Sequence, residues 1–157
     1  QTINLNPKTI NLIINKKKEN KMENYLYFRS DATVGNDDDE TAGSTMYPAS
    51  SFRGMVSGTA TALGVVADDA DAFSMFFTPK GQTGGHGDAD GASGDNVDVV
   101  VVAITTDNNQ KAVMKSVVAA LNANPGDGFV EVFDAVTGYK VNSDIEGVTI
   151  VHTVAAD

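Results

Sequence analysis

Val97-Asp98-Val99-Val100-Val101-Val102-Ala103-Ile104, followed at once by the segment running to Pro125, decides the fold. β-Branched residues in a run this short read as a strand buried on both faces, because Val and Ile fit a pleated surface and lose rotamer freedom in a helix. Downstream the apolar residues recur at spacings of three and four. Val113, Met114, Val117, Val118 and Leu121 form one stripe, with Lys111, Lys115, Ser116 and Asn122 on the other side, which predicts an amphipathic helix over about 108–123. Asp107 is placed to accept from the free N–H groups of the first turn, and Gln110 to reach back as in a capping box. Asn124-Pro125-Gly126 stops the helix, since proline removes a donor and pushes its predecessor out of the α region. Val99, Val101, Ile104, Val113, Val117, Leu121 and Phe129 are expected to share one core.

Outward from this unit the texture is that of a β-protein. Asn24 to Arg29 is an aromatic-rich strand, Pro48 to Val56 a short strand or turn, and Ala60 to Ala67 with Ala72 to Thr78 a hairpin punctuated by Asp68-Asp69-Ala70-Asp71. Beyond the helix, Gly128 to Asp134 and Gly147 to Val154 read as strands, with a short one at Thr137 to Val141. Six to eight strands with one helix predict an α+β fold: a mostly antiparallel β-sheet or sandwich with the helix packed on it.

Two stretches interrupt the pattern. Ser30 to Tyr47, centred on Asp37-Asp38-Asp39-Glu40, and Lys80 to Asn96, rich in Gly and Asp, are expected to be exposed loops set apart from the core. Adjacent carboxylates repel one another and stay solvated, but they also offer oxygen ligands to a hard cation such as calcium. Asp37, Asp38, Asp39, Glu40, Asp88 and Asp90 are therefore the candidate metal ligands. Asp88 and Asp90 lack the third oxygen ligand and the terminal Glu of an EF-hand loop, so a solvated loop is the expectation and no cofactor is required.

Composition narrows the function classes. The 157 residues contain no cysteine, which removes disulfides and Cys-based zinc sites. No apolar run reaches the ~20 residues that span a bilayer. A formal charge of −10 argues against a nucleic-acid partner, because phosphate binding relies on clustered Lys and Arg. His86 and His152 stand alone, with no Gly-x-Ser-x-Gly turn, no His-Glu-x-x-His and no phosphate-cradling glycine loop. No enzymatic activity is expected.

Residues 1–21 differ in kind. They hold five of the eleven basic residues against one acid, Glu19, and no aromatic residue. The positive charge follows the apolar part and no small-residue cleavage site is present, unlike a secretory signal. Asn, Ile and Lys have AT-rich codons, and Lys17-Lys18-Glu19 can be encoded AAA-AAG-GAG, a ribosome-binding sequence just upstream of Met22. Residues 1–21 are thus expected to be a non-native leader or an arm outside the fold, and 22–157 a single β-rich domain. That remainder has six basic and twenty acidic residues, a formal −14.

Tyr25-Leu26-Tyr27-Phe28-Arg29, the acidic run before Tyr47-Pro48-Ala49-Ser50-Ser51-Phe52-Arg53-Gly54-Met55, and Gln110-Lys111-Ala112-Val113-Met114 resemble small virion structural proteins of marine tailed phages, cyanophages included. The resemblance spans most of Met22 to Asp157 and brings no catalytic or binding motif. It implies a non-enzymatic particle component located in the virion, such as a capsid decoration protein, whose partners are itself as a homo-oligomer and the capsid or other virion proteins. From the residues themselves, an edge or the aromatic Tyr25 to Phe28 strand is expected to contribute to contacts, since an exposed strand edge offers unpaired N–H and C=O groups; the alternative is that Tyr25, Tyr27 and Phe28 complete the protein's own sheet. The competing expectation is a soluble binding module that uses its acidic loops for calcium or a glycan ligand.

Overall fold

The computed structural model describes residues 23–33, 43–61, 65–78, 97–123 and 127–151. Along the chain run β1 (Tyr25–Arg29), β2 (Ser44–Pro48), a 3-10 turn (Ala49–Ser51), β3 (Phe52–Ser57), β4 (Thr59–Ala60), β5 (Val66–Ala67), β6 (Ala72–Phe77), β7 (Asp98–Ile104), α1 (Gln110–Asn122), β8 (Phe129–Asp134), β9 (Tyr139–Lys140) and β10 (Ile145–Val151). Two four-stranded sheets form, in the orders β2-β1-β8-β9 and β10-β7-β6-β3, with β4 and β5 a small separate hairpin. All pairings are antiparallel except β1 with β8, which is parallel. The fold is α+β, as the sequence predicts.

β7 lies between β6 and β10, inside its sheet, and is buried on both faces as its composition requires. The period of two divides its side chains, however. Val100, Val102 and Ile104 meet Phe73, Met75 and Phe77 of β6, Leu26, Phe28, Tyr47, Val130, Val132 and Phe133 of the first sheet, and Val113 and Val117 of α1 in one core. Val99 packs on the reverse face with Val97 and Ala60, beside the partly buried Phe76, Val101 and Val151. Val99 and Val101 therefore do not share the helix's core. Phe129 does not either: Val130 and Val132 point inward, so Phe129 faces out at 42% exposure.

The acidic-loop boundary also moves. Residues 44–47 of the expected Ser30 to Tyr47 loop belong to β2, whose Thr45 and Tyr47 are buried. The Tyr47 ring stacks on Phe77 at 4.1 Å and 11°, while Phe28 meets Phe77 edge-on at 5.9 Å. Tyr47 Oη donates to Asp98 Oδ2 at 3.1 Å, a buried hydrogen bond that joins the two sheets. A buried carboxylate is expensive unless it has donors, so this bond explains why Asp98 can open an otherwise apolar strand.

The helix begins at Gln110, two residues later than predicted, and Asn109 at its N-cap makes no side-chain capping bond. Gln110 instead turns its amide away from the helix, donating to the carbonyls of Ala70 at 2.7 Å and Asp69 at 3.3 Å. Asn108 adopts φ 61° to make the approach. Thr106 Oγ1 and Asn109 Nδ2 donate to the Asp144 carboxylate at 2.7 and 2.8 Å, which holds that carboxyl below its ordinary range and ties the helix entry to the turn before β10. Gly58, at φ 103°, lies where a Cβ would collide with the Ala67 carbonyl, so the β4–β5 hairpin can fold back only over glycine.

Val113 and Val117 are fully buried, Met114 and Leu121 partly, and Val118 is 41% exposed. Val117→Ala is accordingly expected to lose about 2 kcal/mol, roughly two buried methylene equivalents, and Val118→Ala within about 0.5 kcal/mol. Urea unfolding of the two variants checks which side of the stripe faces the core.

Candidate interaction surface

Alternation along β1, β2 and β8 determines what the first sheet shows to solvent. Leu26 and Phe28 enter the core, leaving Tyr25 exposed and Tyr27 half-buried on the outer side, while Arg29 at the strand's end is itself mostly buried. In register beside them are Pro48, Met46 and Ser44 on β2, and Phe129, Glu131 and Asp134 on β8. A register shift at Tyr27/Phe28 sets Phe133 beside Phe28 in the core and the buried Asp134 beside Arg29, and Tyr139 pairs with Asp134 at the far side. The result is an exposed aromatic face: Tyr25 at 37%, Met46 at 42%, Phe129 at 42% and Tyr139 at 45%. Tyr27 lies between them, half-buried, with its ring 5.3 Å from that of Phe129.

Acidic groups border this face. Asp134 is buried and accepts from the backbone N–H groups of Val136 and Thr137 at 2.8 and 3.2 Å. Burial, and then the charge and hydrogen bond of Asp134, push the Glu131 carboxyl above its ordinary range, with Thr137 opposing. At the Tyr25 end, Glu23 Oε1 accepts from Ser50 N at 2.9 Å and Asp127 Oδ1 from Phe129 N at 3.0 Å; the bonds from Ser50 hold the Glu23 carboxyl low. Gly128, at φ 72°, brings these two strand starts together, since a Cβ there would lie 2.9 Å from the Glu23 carbonyl. Arg29 is mostly buried and donates through its guanidinium to the carbonyls of Asp31 and Thr33, each at 3.2 Å.

Order in the sheet corrects the expectation of a donor edge. β1 is central, paired with β2 on one side and β8 on the other, so its backbone is satisfied and only its outward side chains are available. Tyr25 and Tyr27 belong to the face, whereas Leu26 and Phe28 belong to the core.

The candidate metal ligands Asp37, Asp38, Asp39, Glu40, Asp88 and Asp90 lie outside the described residues, as do His86, His152 and residues 1–21. Among the described residues no group of three or more His, Cys, Asp or Glu side chains converges as a metal-ligand set, and no helix is long and apolar enough to cross a membrane. A second acidic feature is an open depression of about 420 Å³ lined by Ser57, Asp68, Asp69, Ala70, Asn108 and Gln110. Beside it Asp69, by hydrogen bond and charge, raises the Asp71 carboxyl, with a smaller contribution from Asp107.

No family model matches the chain, and neither a curated protein nor a solved structure matches it.

Proposed function

We propose that this protein is a non-enzymatic structural subunit of a phage virion, displayed in many copies at the particle surface in the manner of a capsid decoration protein. The observation that carries this reading is the aromatic face of the first sheet, with Tyr25, Met46, Phe129 and Tyr139 each more than a third exposed. Exposed apolar side chains rimmed by polar groups mark interaction surfaces, and aromatic residues are enriched where protein surfaces meet. The resemblance of Tyr25 to Arg29, Tyr47 to Met55 and Gln110 to Met114 to virion structural proteins supports the same class of role. Partners are further copies of the chain and capsid or other virion proteins. The acidity of residues 22–157 suits neither nucleic acid nor an anionic membrane surface.

Mass spectrometry of purified particles tests the reading. The protein is expected at a high and fixed copy number per particle. Absence from washed particles, together with a strictly monomeric state in light scattering at high concentration, would overturn it.

A further inference from the structure

We infer that the outer face of the first sheet docks a protein surface of opposite charge character, an apolar patch ringed by lysine and arginine, and that a second copy of this chain does not occupy it. The inference deepens the particle-subunit reading and rests on it for the source of that surface, the capsid lattice.

Charge complementarity carries the argument. The centre of the face, Tyr25, Tyr27, Met46 and Phe129, has the makeup of an interface core, where rigid aromatic side chains contribute large area. Its surroundings are mostly acidic, with Lys140 on β9 the exposed cation among the described residues of this sheet. Glu23 and Asp127 stand at the strand starts and Glu131 on β8, while Asp134 is buried against the backbone N–H groups of Val136 and Thr137. Arg29, the cation of β1, is mostly buried and directed to the Asp31 and Thr33 carbonyls. Two copies meeting face to face would bring these carboxylates against their own kind, on chains that each carry −14 over residues 22–157. A basic rim meets the same positions with favourable sign and speeds encounter. Four strands about 4.8 Å apart and five residues of about 3.4 Å make a face of roughly 15 by 17 Å. That is small for a stable interface, so single contacts are expected to be weak and effective when many copies engage one lattice.

The test is a selection of random dodecapeptides on the full chain, counter-selected on the Tyr25→Ser, Phe129→Ser double variant. Both changes lie at exposed positions, and circular dichroism with an unchanged unfolding midpoint verifies that the variant folds. Enriched peptides are expected to combine aromatic or leucine residues with lysine or arginine. They should lose at least about tenfold in affinity between ~50 and ~500 mM NaCl as screening grows, and should fail to bind the variant. Peptides without basic residues, or peptides that bind the variant equally, would overturn the inference. So would self-association of the chain in sedimentation that the double variant abolishes, because the occupant would then be a second copy. Particle mass spectrometry is independent of this selection, so peptides of the expected kind with no protein in particles would remove the virion reading and leave the docking chemistry standing.

Discussion

Phe77→Ala is expected to destabilise the protein by about 3 to 5 kcal/mol, the range for emptying a filled aromatic site in a core. Phe77 is fully buried in β6, and three rings converge on it: Tyr47 stacked at 4.1 Å, Phe52 at 5.7 Å and Phe28 at 5.9 Å. Those partners come from β2, β3 and β1, so both sheets press on one side chain. Truncation leaves a void that neither sheet can close without separating from its other contacts, whereas Phe77→Leu keeps most of the volume and is expected to cost less than about 1.5 kcal/mol. Urea unfolding read as a shift in midpoint at constant slope measures both. A loss under about 1 kcal/mol for Phe77→Ala would mean that the two sheets do not close over this ring.

Tyr47→Phe is expected to cost about 1.5 to 3 kcal/mol near neutral pH, the range for a hydrogen bond to a charged group, because it takes one donor from the buried Asp98 carboxylate. A pH dependence accompanies it. Burial, and then the charge of Asp98, push the Tyr47 hydroxyl well above its ordinary value of 10.0. The unfolded chain releases this proton near pH 10 while the folded chain keeps it. The contribution of Tyr47 is therefore fully present below pH 10 and is lost as pH rises above it. Tyr47→Phe should lower stability at neutral pH yet flatten the alkaline side of the stability profile, where the two proteins converge. Midpoints measured at a series of pH values from neutrality upward check this, and parallel curves would place the hydroxyl in solvent.

Much of the fold was legible because it depends on local pattern. The valine run of β7 announced a strand buried on both faces, since no other arrangement hides so many β-branched residues in seven positions. The spacing of Val113, Val117 and Leu121 announced the helix. The capping box failed for a physical reason: Gln110 found carbonyl acceptors on Asp69 and Ala70, about forty residues away in sequence, and a distant acceptor leaves no trace in the local spacing. The Asp98–Tyr47 bond was hidden in the same way, since Asp98 read as part of one apolar run and Tyr47 as the end of a loop.

The interaction surface was half-legible. Tyr25-Leu26-Tyr27-Phe28 marked an aromatic strand, which was read as one unit, whereas the structure sends Leu26 and Phe28 into the core and leaves Tyr25 and Tyr27 on the other face. Alternation alone does not say which face is covered or whether a strand is central. Sheet order brought Met46 and Phe129 to either side of β1 and made it an interior strand. The parallel pairing of β1 with β8, across about a hundred residues, assembled the aromatic face and its acidic border from segments that show no relation along the chain.

What the sequence determined by itself is the β7 strand, the helix after it, the α+β class, the acidity and the absence of cysteine. These follow from side-chain size, branching and charge, which act within a few residues. Only the tertiary structure decided which face of each strand became core and which stayed in solvent, why Phe129 is exposed while Tyr47 is buried, and where Asp98 finds its donor. Those outcomes depend on strand order and register, set by contacts whose energies are summed over the whole fold and are not carried by any one stretch of chain.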